Sequence, residues 1–110
     1  MAGEPSHFEV GVPDAARAKA FHGALFGWSF TPTEGENAWI ETAGVRGGLH
    51  GDDEASNVVL YFSVPDIDTA VKRVRELGGT ADEPGPADAG GRFASCRDDQ
   101  CVSFGLHQAG

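Results

Sequence analysis

Asn57 to Gly79 reads NVVLYFSVPDIDTAVKRVRELGG, and the chain has already written a version of it 52 residues earlier. Val64-Pro65-Asp66 repeats Val12-Pro13-Asp14, Leu77 falls where Leu25 stood, and Gly78-Gly79 falls where Phe26-Gly27 stood. Apolar residues alternate before each Val-Pro-Asp, and a helical pattern follows each. A second echo closes the halves, with Gly48-Leu49-His50 returning as Gly105-Leu106-His107 at an offset of 57. Self-similarity of this kind marks a repeated supersecondary unit. The chain therefore reads as a single domain over residues 1–110 built from two such units, about 5–51 and 57–108.

Within the first unit, Phe8, Val10 and Val12 alternate with His7, Glu9 and Gly11, the pattern of a half-buried strand. Pro13 has no N–H for a ladder and stops it. Asp14 is placed to cap a helix over 15–26, with Ala18, Phe21 and Leu25 as its apolar stripe and Gly27 as its stop. His22 lies beside that stripe and is expected to extend its ring to water. Strands follow over 28–32, 38–43 (Trp39 and Glu41 on one face, Ile40 on the other) and, more weakly, 45–51, where glycines pack poorly. The second unit repeats the order. Leu60, Phe62 and Val64 share one face of the strand 58–64, and Val59, Tyr61 and Ser63 share the other. Asp66 caps a helix with Ile67, Ala70, Val71, Val74 and Leu77 on its apolar side. A short strand near 80–82 leads to the Gly/Pro-rich loop 83–91, a connector or a lid. Strands 92–97 and 101–108 form a closing hairpin. Each half is thus β-α-β-β-β, with its helix against Phe8/Val10 or Leu60/Phe62. The other faces, carrying His7, Glu9, Val59, Tyr61, Ser103, Gly105 and His107, are left to form a cleft.

Composition narrows the partners. Seventeen acids against eight bases give a net charge of −9, which argues against nucleic acid and anionic membrane. No apolar run is long enough to cross a bilayer, and MAGEPSHF lacks the look of a signal peptide, so the expected location is the cytoplasm. Cys96 and Cys101 flank a four-residue turn that would let them face each other across a hairpin and form a disulfide, but with no export signal they are expected to be reduced. Asp98 and Asp99 beside Cys101 disfavour a thiolate.

Paired β-α-β-β-β units of this length resemble the vicinal oxygen chelate superfamily of glyoxalase I, bleomycin-resistance proteins, fosfomycin-resistance enzymes and extradiol dioxygenases. HFEVGVPDAARAKAFHGALFGWSF looks like that family's first strand and helix, and YFSVPDIDTAVKRVRELGG like its fifth strand and second helix. RDDQCVSFGLHQ is similar to its closing DPxGNxxxL turn and strand. The resemblance implies an α+β fold in which the two βαβββ repeats make a half-open mixed β-sheet barrel around a cleft, with the helices outside. It also implies a divalent metal held by one side chain on each of four strands, acting as a Lewis acid. Carried over one by one, those positions fall on His7, near Gly48, on Val59 and on Gly105. Glycine and valine have no donor, so the usual metal site is expected to be lost, with no cofactor in its place.

Two readings remain open. In the first, the chain is not an enzyme. It holds a small hydrophobic or aromatic molecule in the cleft, through His7, Glu9, Trp39, Tyr61, Ser103, Gly105 and His107, as in drug sequestration by bleomycin-resistance proteins. An acidic surface suits a cationic ligand. In the second, His50 and His107, each two residues beyond an empty position, join His7 in a displaced site for zinc or nickel and serve a metal-dependent lyase, isomerase or dioxygenase. A homodimer is compatible with either.

Overall fold

A computed structural model describes residues 2–53, 56–87 and 90–109. The chain divides into two compact units, His7–Val58 and Val59–Gly110 with Met1–Ser6. In the first lie β1 (Pro5–Gly11, which begins just before it), α1 (Ala15–Phe26), β2 (Ser29–Pro32), β3 (Ala38–Glu41) and β4 (Gly47–His50). In the second lie β5 (Asn57–Ser63, which likewise begins just before it), α2 (Ile67–Glu76), β6 (Thr80–Ala81), β7 (Arg92–Arg97) and β8 (Ser103–Gln108).

The halves follow one plan. The first orders its strands β2-β3-β4-β1 and the second β6-β7-β8-β5. In each, three strands make an antiparallel meander, and the unit's opening strand runs parallel to the last of them. The β-α-β-β-β repeat read from the two Val-Pro-Asp stretches is therefore the architecture, and the fold is mixed α+β.

Both caps form as the sequence dictates. The Asp14 carboxylate accepts from the Arg17 amide at 3.1 Å, and Gly27 ends α1 at φ 73°, a conformation that favours glycine. Asp66 accepts from the amides of Asp68 and Thr69 and from the Thr69 hydroxyl. The Thr69 amide and then its hydroxyl are the main reasons that the Asp66 carboxyl sits below the ordinary aspartate value of 3.8. A carboxyl lowered on folding contributes stability above its unfolded value, and the contribution is lost as pH falls through the folded one. The difference in melting temperature between the native chain and Asp66→Asn is thus expected to be widest at neutral pH. It should close as pH is taken below 3.8, which a melting series against pH measures.

Two expectations about packing are corrected. On α1 only Ala15 and Ala18 are buried, whereas Phe21 is 63% and Leu25 59% exposed. The core of this unit is Val10, Ala15, Ala18, Ile40 and Leu49, bordered by Phe8, Val12, Trp28 and Phe30. Small alanines let the helix approach the sheet closely, and the larger stripe residues are turned outward. His22 is half-buried at the edge of that helix. Its Nδ1 meets the Ala18 carbonyl at 3.0 Å, and its ring stacks on Trp28 at 5.2 Å. In the second unit α2 packs over β6, β7 and β8. Ile67 and Val71 are buried with Ala94, Cys96 and Leu106, while Leu60 is 47% exposed.

The closing hairpin is shorter than its sequence suggested, because β8 begins at Ser103. Cys101 adopts φ 67° where the DPxGN pattern has glycine. Asp98 holds the turn by accepting from the Gln100 and Val102 amides at 2.8 and 2.9 Å. Register sets Cys96 opposite Phe104, not Cys101, so the two thiols do not face each other. Cys96 lies buried under α2, and burial first, then the Asp82 carboxylate, pushes its thiol up. Of the loop 83–91, Asp88 and Ala89 lie outside the described residues. Gly85 is tied to β7 through its amide to the Phe93 carbonyl and its carbonyl to Arg92 Nε, each at 3.0 Å. That end of the loop is held as a connector.

Candidate functional site

Alternation on β1 sends Phe8 and Val10 to the core and His7 and Glu9 to the opposite face. His7 is 4% exposed. Its Nε2 donates to Glu9 Oε2 in a close contact. The other oxygen of Glu9 lies 3.4 Å from His50 Nε2. His50 Nδ1 in turn lies 2.9 Å from Asp53 Oδ2. Two carboxylates and two imidazoles thus alternate in a chain, His7–Glu9–His50–Asp53. A neutral imidazole has one N–H to give and an imidazolium has two; protonated His50 serves both carboxylates at once.

This chain of polar groups is seated on glycines. Parallel pairing of β1 with β4 sets Glu9 opposite Gly48 and His50 opposite Gly11. A Cβ on Gly48 would stand 2.5 Å from Glu9 Oε2, and one on Gly11 would overlap Asp53 and His50. The carboxylates lie across the strands because there is no side chain beneath them. Beside them, Trp39 on β3 meets His7 edge-on at 6.1 Å between ring centres, and its face carries the Arg46 guanidinium at 4.3 Å. Glu9, Thr33, Asn37, Trp39, Leu49 and His50 line a cavity of about 300 Å³.

The second unit uses the same device with different chemistry. At the repeat offsets, Tyr61 replaces Glu9, Gly105 replaces Gly48 and His107 replaces His50. Tyr61 pairs with Gly105 and lays its ring where a Cβ of that glycine would be. The ring meets Phe93 edge-on at 5.6 Å, and Phe93 stacks on His107 at 4.7 Å. His107 Nε2 donates to the Gly90 carbonyl at 2.8 Å. Its Nδ1 is therefore the acceptor for the Ser6 hydroxyl, also at 2.8 Å.

The profile of the glyoxalase-like domain matches residues 7–104. This chain belongs to the glyoxalase-like domain family. No curated protein sequence matches it. Solved structures share the fold of this glyoxalase-like chain at low identity, and with it the vicinal oxygen chelate architecture. A hypothetical protein, BH1468 from Bacillus halodurans C-125, superposes with a TM-score of 0.77 at 15% identity, covering 100% of this chain and 96% of that one. Methylmalonyl-CoA epimerase from Mycobacterium tuberculosis gives 0.74 at 16% identity, with 98% and 88% covered. Homoprotocatechuate 2,3-dioxygenase from Arthrobacter globiformis gives 0.78 at 15% identity, with 98% of this chain but 36% of the enzyme covered.

The metal that the fold implies does not fit this donor set. Of the four carried-over positions, Gly48, Val59 and Gly105 offer no ligand atom. The space over the two glycines is taken by the Glu9 carboxylate and the Tyr61 ring. Both ring nitrogens of His107 are engaged with Ser6 and Gly90. Among the described residues, no group of three or more His, Cys, Asp or Glu is placed to hold a metal ion.

Of the residues chosen from sequence, His7, Glu9, Trp39 and His50 come together in the first unit. Tyr61, Gly105 and His107 cluster in the second, with Ser103 on the same sheet face. Sequence reasoning missed Asp53, the carboxylate that orients His50, because it lies in the polar connector. It also missed Phe93, whose stacking on His107 follows from β7–β8 register.

Proposed function

We propose that this glyoxalase-like protein binds a small aromatic or hydrophobic molecule without chemistry, and that the cavity beside Trp39 holds it. The observation that carries this is the cavity itself. At about 300 Å³ it reaches the lower end of ligand-pocket sizes, and it combines an aromatic wall with few, convergent polar groups. Trp39 supplies a flat apolar surface. Glu9 and His50 fix orientation, and the Glu9 carboxylate, held in place by His7, favours a ligand with a cationic or hydrogen-bond-donating group. Drug sequestration, as in bleomycin-resistance proteins, needs no more than such affinity.

The test is a thermal-shift screen of aromatic amines and neutral aromatics, followed by calorimetry. A ligand that binds only the folded chain raises its melting temperature by mass action. We expect saturable binding that falls at least tenfold in Trp39→Ala. A broad screen without a single stabilising compound, or hits indifferent to Trp39→Ala, would defeat the proposal.

A further inference from the structure

We propose that the second unit carries a separate site for an α-amino acid zwitterion with an apolar side chain, formed by Arg97, Asp82 and Tyr61 on the sheet face away from α2. It goes beyond the Trp39 cavity and shares no residue with it.

Register builds this site. Antiparallel pairing aligns Thr80, Arg97 and Ser103 in one cross-strand row. The Asp82 amide donates to the Ser95 carbonyl at 3.0 Å, and Ser95 pairs with Gly105, which pairs with Tyr61. Asp82, Ser95, Gly105 and Tyr61 therefore make the next row. Ala94, Cys96, Phe104 and Leu106 point the other way, into the core beneath α2. Side chains of these two rows line a cavity of about 260 Å³.

Three features give that cavity a preference. First, it holds one guanidinium and one carboxylate that do not pair, since no salt bridge joins Arg97 to Asp82 or to any other carboxylate among the described residues. Arg97 is oriented instead by a long contact from Nη1 to the Cys101 carbonyl, 3.5 Å. Opposite charges on diagonal cross-strand positions are near enough for one small ligand to bridge both. Second, the Tyr61 ring lies flat over Gly105 and is braced by Phe93. That gives an apolar floor beside the charged pair. Third, the chain carries a net charge of −9, which repels a plain anion at long range but not a zwitterion. A carboxylate on Arg97 and an ammonium on Asp82 satisfy both groups with charge-assisted hydrogen bonds, while the Ser95 and Ser103 hydroxyls flank them.

Titration of the full chain by amide and arginine side-chain NMR at low ionic strength tests this, with L-phenylalanine as probe. Phenylacetate lacks the ammonium and phenethylamine lacks the carboxylate. L-Phenylalanine is expected to shift Ser95, Arg97 and Ser103 resonances saturably and to bind at least tenfold more tightly than either analogue. Arg97→Gln should erase the advantage over phenethylamine and Asp82→Asn the advantage over phenylacetate, both at exposed positions, and Trp39→Ala should leave both intact. The proposal is overturned if these resonances do not move, if either analogue binds as well as L-phenylalanine, or if either variant keeps the preference it is expected to lose. Loss of binding in Trp39→Ala would assign the ligand to the first unit's cavity and overturn it equally.

Discussion

Ile67→Ala is expected to cost about 2–5 kcal/mol of folding stability, the range for truncating a fully buried isoleucine, whereas Leu60→Ala should cost about 0.5 kcal/mol or less. Both residues look alike in the sequence, each an apolar member of a regular pattern. Ile67 has no exposed surface and opens α2, packed with Ala94, Cys96 and Leu106. Its amide also donates to the Gln108 side chain at 2.8 Å, so the first turn of α2 is fastened to β8 where Ile67 enters the core. Truncation leaves a void that these neighbours cannot fill without moving a strand. Leu60, expected beneath α2, is instead 47% exposed, and less apolar surface is lost with its side chain. Paired chemical-denaturation curves decide the matter. Equal losses at the two positions would mean that Leu60 is buried as fully as Ile67.

That contrast shows where sequence reading succeeds and stops. Alternation along PSHFEVG and NVVLYFS, the two Val-Pro-Asp stops and the aspartate caps are local signals, and each produced the element it implied. Repetition at two offsets then supplied topology, because a unit that folds once in a given order folds again in that order. Helix placement over the sheet is different. It depends on the twist of the sheet and on the size of the residues beneath the helix. Ala15 and Ala18 admit α1 closely, so Phe21 and Leu25 are left outside, an outcome no periodicity can announce.

The candidate site was legible in part for a related reason. Period two placed His7 and Glu9 on the face away from the helix and put His50 on the face of Gly48. The link between them depended on β1 pairing in parallel with β4 in one register, a long-range fact. Glycines at Gly48 and Gly105 read as lost metal ligands. In the fold they are also clearances, one for a carboxylate and one for a ring. Asp53 escaped notice because a connector has no period to assign it a direction.

Those two glycines support a second prediction, in which repeat-equivalent substitutions have unequal costs. Gly105→Ala should destabilise the chain by about 1–3 kcal/mol, the usual penalty of overpacking. Neither glycine has a positive φ, so the backbone accepts alanine at both and the outcome rests on what the methyl meets. At Gly105 it meets Cγ, Cδ2 and Cε2 of Tyr61. A ring cannot yield at Cγ without turning about its own Cα–Cβ bond, and Phe93 stands against it edge-on. At Gly48 the methyl meets the end of a flexible side chain, with Glu9 Oε1 at 2.8 Å and Oε2 at 2.5 Å. Glu9 can swing aside, and the gain from restricting the unfolded chain, about 0.4–1 kcal/mol, offsets much of the disturbance. Gly48→Ala should therefore melt close to the native chain while parting Glu9 from His7 and His50. Its signature is a changed set of histidine resonances and weaker ligand binding at the Trp39 cavity, with stability nearly unchanged. If Gly105→Ala is as benign as Gly48→Ala, the Tyr61 ring is not seated on the strand, and the apolar floor ascribed to it is absent.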